Sequence, residues 1–170
     1  EMEKVPKEGY QIVGLPIAGF NRSNMLKNIF LPFKLIQSLW QANKIIKTFQ
    51  PDIVVGVGGY ASFPMMRAAQ AKHIPTLIQE QNSHAGKSNQ QLAKRAKAIC
   101  VAYDGMQKFF PVEKIVYTGN PVRATIVNAN VSKQEALDFF KLAHHKKTIL
   151  VIGGSLGAKS INDTFKRWIF

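Results

Sequence analysis

Pro51-Asp52-Ile53-Val54-Val55-Gly56-Val57-Gly58-Gly59-Tyr60-Ala61-Ser62-Phe63-Pro64 reads as a short buried strand, a glycine turn and the opening of a helix. Ile53, Val54 and Val55 are β-branched and suit a pleated, buried surface. The glycines permit positive φ and let backbone N–H groups approach a ligand closely. Pro64 fits the first turn of a helix, where its missing N–H costs nothing. A helix start that follows such a turn offers unpaired N–H donors and a positive dipole end to an anion. The same arrangement returns in Thr148-Ile149-Leu150-Val151-Ile152-Gly153-Gly154-Ser155-Leu156-Gly157-Ala158, now with a hydroxyl. Glycine also serves simply to turn a chain tightly, so one loop is a weak sign and two are a stronger one.

Working outward, strands are expected at 10–13, 53–57, 76–78, 98–102, 115–117 and 148–152. Helices are expected at 28–49, 64–71, 87–97, 132–142 and 158–169. Short β-branched runs alternating with helices indicate βαβ units, and therefore an α/β fold with a parallel sheet covered on both faces. The turn-forming cluster Thr118-Gly119-Asn120-Pro121-Val122-Arg123, followed by the polar segment 128–132, marks a domain boundary. A strand, glycine turn and helix on each side of it would come from two successive Rossmann-like domains.

Composition narrows the class. Hydrophobic residues make up 46% of the 170 and charged residues 19%, which supports a packed core and excludes wholesale disorder. Cys100 is the single cysteine, so no internal disulfide can form, and a reducing compartment is expected, with Cys100 as a small buried hydrophobe. No apolar run approaches the roughly 18–20 residues that span a bilayer. The chain opens Glu1-Met2-Glu3 and closes within a helical pattern, which reads as an internal fragment. Its net charge is +13, and the stretches 9–51 and 81–103 hold no carboxylate. Such a balance favours an anionic partner such as a phosphate-bearing substrate or anionic lipid, although a solvated basic surface would look the same.

Three readings remain open on these grounds. One is an enzyme that cradles phosphates on its glycine turns. A second is a nicotinamide-dinucleotide-dependent oxidoreductase: Gly56-Val57-Gly58-Gly59-Tyr60-Ala61 satisfies G-x-G-x-x-A, and Glu80, 24 positions beyond Gly56, could bind ribose hydroxyls. The third is a non-catalytic basic module that binds membranes or nucleic acid through charge, with steep salt dependence.

Four motifs in order favour the first. Pro51-Asp52 to Pro64, Glu80-Gln81-Asn82, Gly119-Asn120-Pro121-Val122-Arg123, and Gly153-Gly154-Ser155-Leu156-Gly157-Ala158 with Asn162 resemble the MurG family in order and spacing. The likeness extends over essentially the whole chain. It implies a GT-B fold, with parts of two Rossmann-like domains carrying parallel sheets. Residues 1–121 would be the C-terminal portion of the acceptor- and membrane-side domain, and residues 122–170 the linker and start of the UDP-sugar donor domain. It also implies inverting transfer of N-acetylglucosamine from UDP-GlcNAc to lipid I (undecaprenyl-pyrophosphoryl-MurNAc-pentapeptide), with no metal, no cofactor and no nucleic acid partner. The place of work would be the cytoplasmic face of a bacterial cell membrane, as a peripheral protein.

By the same resemblance Asn82, Arg123 and Ser155 match donor-binding positions. Gly153, Gly154, Gly157 and Asn162 support the donor loop, and Gly58, Gly59 and Tyr60 face the acceptor diphosphate. The chemistry fits: an arginine can pair with a diphosphate oxygen, a serine at a helix start can hold a phosphate, and an asparagine both donates and accepts. No catalytic base is assigned, and Glu80 is a candidate only by elimination. Gln79 stands where many members carry histidine, so no acid/base role falls there. Phe63 stands where glycine is common, and would bear on the acceptor side of the loop. His84 reads as a solvated loop side chain. The 170 residues alone are expected not to turn over substrate.

The segment 28–49 carries two apolar stripes. Leu35, Leu39, Ala42, Ile46 and Phe49 form a core stripe at helical spacing. Ile29, Phe33, Ile36 and Trp40 form a second, beside Lys34 and Lys44, as an interfacial membrane patch would. The family resemblance implies such a patch in this part of the chain.

Overall fold

The computed structural model describes residues 2–17, 19, 28–152 and 158–169. It divides into two compact units, Glu1–Pro121 and Val122–Phe170.

In the first unit a short helix α1 (Lys4–Lys7) precedes a long helix α2 (Leu31–Phe49). Four strands then alternate with helices: β1 (Val54–Gly56), α3 (Gly59–Ala71), β2 (Thr76–Glu80), α4 (Lys87–Ala93), β3 (Ala98–Val101) and β4 (Ile115–Tyr117). Two single 3-10 turns, Met106–Lys108 and Val112–Lys114, join the last two strands. The strands pair in the order β1-β2-β3-β4, and every pairing is parallel.

That order explains a departure from expectation. Right-handed crossovers that always step to the next strand in one direction place every connecting helix on one face of the sheet. Accordingly Ile78, Ile99 and Val101 are sealed in a core with Met66, Leu92, Ala93, Met106 and Phe110. The other face leaves Val55 and Val116 exposed and Leu77 and Cys100 half-buried. Cover on both faces therefore holds for only one face among the described residues, and Cys100 is not fully buried.

Helix α2 packs on α3. Its inner face is centred on Ser38, Ala42 and Ile46, which meets Ala68 and Ala69 of α3. Small side chains on both helices allow a close approach. Ser38 is completely buried with no partner for its hydroxyl, so here it acts as a space-filler rather than a polar group. Phe49 lies on that face but past the cover α3 provides, and is exposed. Gln50 then stops the helix in a left-handed conformation.

The helix after the first glycine turn begins at Gly59, earlier than Pro64 implies, and Pro64 lies inside it. A proline at the sixth position removes the N–H that would bond the carbonyl of Tyr60, so the first turn is loosened where it borders the turn. Helix α4 ends at Ala93, short of residue 97. The β2 strand runs two residues further than expected, to Glu80.

Two expected strands do not form. Residues 10–13 form no ladder, and the adjoining chain is tied to α2 by Gln41 Nε2 donating to the Gly14 carbonyl at 3.2 Å. Residues 148–152 are likewise unpaired, with Ile149, Leu150 and Ile152 exposed. A strand exists only with a hydrogen-bonded neighbour, and no described residue supplies one.

In the second unit a four-residue helix α5 (Ala124–Val127) precedes α6 (Lys133–Phe139) and α7 (Lys159–Ile169). Ser132 caps α6 reciprocally: its hydroxyl accepts from the Glu135 N–H at 3.2 Å, and the Glu135 carboxylate accepts from the Ser132 N–H at 2.8 Å. Helix α7 is strongly amphipathic, with the Phe165 and Trp168 rings meeting edge-on at 5.7 Å.

Candidate functional site

In a parallel sheet ligands bind beyond the carboxyl ends of the strands. At that end of β1 and β2 the first unit gathers the Gly58–Tyr60 turn and the loop 81–86. Gly58 and Gly59 both have positive φ, 86° and 75°. Open space surrounds the position a Gly59 side chain would take, so its glycine is required by conformation and not by crowding. Gly58 is different: a Cβ there would lie 3.4 Å from Nδ2 of Asn89 and 3.8 Å from Oε1 of Gln81. The two loops therefore lean on each other. The Tyr60 ring lies against Gly19, about 3.0 Å from where a Cβ would stand. Helix α3 starts at Gly59, so its first unpaired N–H groups open onto this turn.

The most informative residue is Glu80, 2% exposed at the end of β2. Its Oε1 accepts from the backbone N–H of Asn82 at 3.1 Å and from Asn82 Nδ2 at 3.0 Å. Its Oε2 accepts from the backbone N–H of Gly86 at 3.0 Å and from Asn89 Nδ2 at 2.9 Å. Burial is the strongest single influence and raises its pKa, but the bonds from Asn89, Gly86 and Asn82 together outweigh it and hold the carboxyl below its ordinary 4.5. An anion that keeps its charge while satisfied by four donors is a poor proton acceptor. The same geometry removes the acid that the dinucleotide reading needs, because both carboxylate oxygens are spent on the protein's own loop.

Linkage gives this a pH signature. A folded-state pKa below the unfolded one adds stability above the ordinary value, and that stability is lost as pH falls through the depressed value. Wild type should thus exceed Glu80→Gln in unfolding free energy at neutral pH, with the gap narrowing as pH falls below the ordinary 4.5. Urea titrations at pH 7 and pH 3.5 would check it, and a gap independent of pH would contradict it.

Gln79 and Asn120 tie the next motif to this loop. Gln79, mostly buried, donates from Nε2 to the Gly119 carbonyl at 3.2 Å, and Asn120 Nδ2 donates to the Gln81 carbonyl at 3.2 Å. The residue that replaces the histidine is therefore a brace, which needs only an N–H donor. Gly119 turns with φ 71°.

Other expected positions fall as follows. Asn82 is exposed; its amide hydrogen is held by Glu80, and its amide oxygen is left to accept. Arg123 is exposed at the N-terminal end of α5, its carbonyl accepting from Ile126 at 2.9 Å. Asn162 is exposed in the first turn of α7. Gly153, Gly154, Ser155 and Gly157 lie outside the described residues. Phe63 is half-buried and packs against the core around Met66. His84 is exposed, with its ring edge-on to Phe109 at 4.7 Å. Asn89 was missed by sequence reasoning. A carboxylate closing a buried strand just before an acid-free stretch that holds Gln81, Asn82, Asn89, Gln90 and Gln91 is the signal that it must be satisfied by nearby amides.

Helix α2 starts at Leu31 rather than residue 28, so of the expected patch Phe33, Ile36 and Trp40 lie on it and Ile29 just before it. All four are exposed, Phe33 by 69% and Trp40 by 68%, as is Phe30. The Lys44 ammonium lies 6.0 Å from the centre of the Trp40 ring. Among the described residues no helix is long and apolar enough to cross a membrane.

Residues 1–101 match the model of the glycosyltransferase family 28 N-terminal domain. A relative from Bacteroides thetaiotaomicron is 57% identical over 164 residues, covering 96% of this chain and 44% of its own. One from Cytophaga hutchinsonii is 53% identical over 167 residues, 98% of this chain and 45% of its own. Both carry the name UDP-N-acetylglucosamine–N-acetylmuramyl-(pentapeptide) pyrophosphoryl-undecaprenol N-acetylglucosamine transferase. The crystal structure of Acinetobacter baumannii MurG superposes with a TM-score of 0.65 at 32% identity, over 95% of this chain and 43% of that one. The chain thus spans less than half the length of the relatives it matches, and shares the α/β, GT-B fold class of the last. With four ordered motifs, a parallel sheet and glycine turns at its carboxyl end, the chain belongs to glycosyltransferase family 28.

Proposed function

We propose that the full-length protein transfers N-acetylglucosamine from UDP-GlcNAc to lipid I, inverting the anomeric centre and forming lipid II for peptidoglycan. The observation that carries this reading is the meeting of the Gly58–Tyr60 turn with the Asn82 loop at the carboxyl end of the sheet, in a chain so similar to transferases of that name. Unit 1 would then be the acceptor and membrane side, and unit 2 the linker and the start of the donor domain.

The chemistry is a displacement at the sugar C1 by the acceptor 4-hydroxyl, with UDP leaving. Asn82 would hold a sugar hydroxyl through its free amide oxygen. Arg123 and the Ser155 loop, with Gly153, Gly154, Gly157 and Asn162, would balance the charge growing on the departing diphosphate. Gly58, Gly59 and Tyr60, at the start of α3, would receive the acceptor diphosphate. The base that takes the acceptor proton lies elsewhere, since Glu80 is fully bonded. The exposed Ile29, Phe33, Ile36 and Trp40 would rest in the anionic cytoplasmic membrane surface, bringing a lipid-linked acceptor within reach.

The test is turnover. The full-length protein should convert UDP-GlcNAc and lipid I to lipid II and bind UDP but not NADH, while the 170 residues alone should show no transfer. Binding of NADH in preference to UDP, or transfer by the 170 residues, would overturn the respective claim.

A further inference from the structure

Glu80 is a buried anion whose four partners are all neutral amides. A charge is rarely buried without a cation unless its hydrogen bonds are fully satisfied, and a satisfied buried network rigidifies the groups that join it. Here the donors come from three places: the backbone and side chain of Asn82, the backbone at Gly86 just before α4, and Asn89 in α4. Asn89 is itself 2% exposed, and its Oδ1 has no partner, so the bond to Glu80 is what fixes how its amide is turned. That amide in turn stands 3.4 Å from where a Gly58 Cβ would be. Hydrogen bonds thus link Asn82 through Glu80 to Asn89, whose amide stands beside the Gly58 turn.

We propose that Glu80 is a positioning residue whose carboxylate fixes the Asn82 amide for a donor sugar and, through Asn89, sets the Gly58 turn against the same loop. This rests on the donor role proposed above for Asn82. The carboxylate orients Asn82 by accepting from both its backbone and its side chain, so the amide cannot rotate to offer its nitrogen outward. The amide oxygen becomes the fixed acceptor for a hydroxyl of the sugar. A second arm of the same group reaches the glycine turn, so the loops proposed for donor and acceptor share one support. Because the depressed pKa keeps that support charged, it should hold throughout the neutral range.

The test uses the full-length protein, with UDP-GlcNAc and UDP as calorimetric probes and amide hydrogen exchange at Asn82 and Gly86. Glu80→Gln places an amide opposite the Gly86 and Asn89 donors. It should weaken UDP-GlcNAc binding about tenfold while changing UDP binding by less than about twofold, because only the sugar reads Asn82. Exchange at the Asn82 and Gly86 amides should quicken. Asn82→Ala should show the same split between the two probes, and the double variant should lose little more than either single one. Glu80→Gln with Asn89→Asp should recover part of the loss, since the amide introduced at position 80 can donate to the carboxylate introduced at position 89.

An unchanged ratio of UDP-GlcNAc to UDP affinity in a folded Glu80→Gln protein would overturn the proposal, as would additive effects of Glu80→Gln and Asn82→Ala. Should Glu80→Gln fail to fold, Glu80→Asp shortens the same arm and should move the ratio in the same direction, with an unchanged ratio again overturning it. If wild type binds neither probe, the donor reading fails by itself. Amide exchange then decides whether Glu80 holds the two loops: quickened exchange keeps that part and unchanged exchange removes it.

Discussion

Replacing Phe33 and Trp40 together by serine should lower the affinity of the full-length protein for anionic phospholipid vesicles by about a hundredfold or more. Burying a large apolar side chain is worth about 1.5–3 kcal/mol, and two are removed. Both are exposed in unit 1, and they stand on one side of α2 with Ile36, Ile29 lying just before the helix, while the other side packs on α3. Affinity for UDP-GlcNAc should be unchanged, because the patch shares no residue with the Gly58–Asn82 cluster. Salt separates this from attachment by charge alone. At about 1 M salt the Debye length falls to roughly 3 Å, so a purely basic surface would release the vesicles, whereas an apolar patch would retain a share of binding. Vesicle co-sedimentation that is equal in wild type and double variant would remove the membrane role of α2.

Gly56→Val should destabilise the protein by about 3 kcal/mol or more, against about 1–2 kcal/mol for Gly59→Ala. The contrast comes from surroundings rather than residue type. A Cβ on Gly56 would fall 2.8 Å from both Cγ and Sδ of Met66 and 2.9 Å from its Cε, and Met66 is 1% exposed in the main core. Close-packed interiors have no room for such a shift. Gly59 meets nothing within 4 Å, so its replacement is strained only by its φ of 75°. A double-mutant cycle makes the cause visible. Met66→Ala should be costly alone yet offset part of the Gly56→Val loss, with a coupling of about 1 kcal/mol or more. Urea denaturation of the four proteins measures it, and strict additivity would show that Met66 is not the obstacle.

Much of the fold was legible because its signals are local. The run Ile53-Val54-Val55 announces a strand within three residues, and Gly58-Gly59 announces a turn by the φ values only glycine adopts easily. The second stripe was readable from helical spacing for Phe33, Ile36 and Trp40, which are exposed on α2, whereas Ile29 lies before the helix. Where local rules misled, a neighbour decided. Pro64 looked like a helix start because proline belongs there, yet the helix begins five residues earlier and tolerates it. Residues 148–152 have every mark of a strand and lack only something to pair with.

The site shows the same division more sharply. By itself the sequence determined which residues gather at the carboxyl end of the sheet, since the strand and turn pattern places the motifs of Gly58 and Asn82 there. It left Glu80 readable as a base, a ribose ligand or a structural group, and Gln79 as a gap left by a histidine. Tertiary structure alone assigned Glu80 to four amide donors of the following loop and α4, and Gln79 to a carbonyl 40 positions away. The physical reason is one of range. Backbone preference and hydrophobic period are set by residues within a turn or two. What a buried carboxylate can do is set by every donor that surrounds it once the chain has closed, and that surrounding exists only in three dimensions.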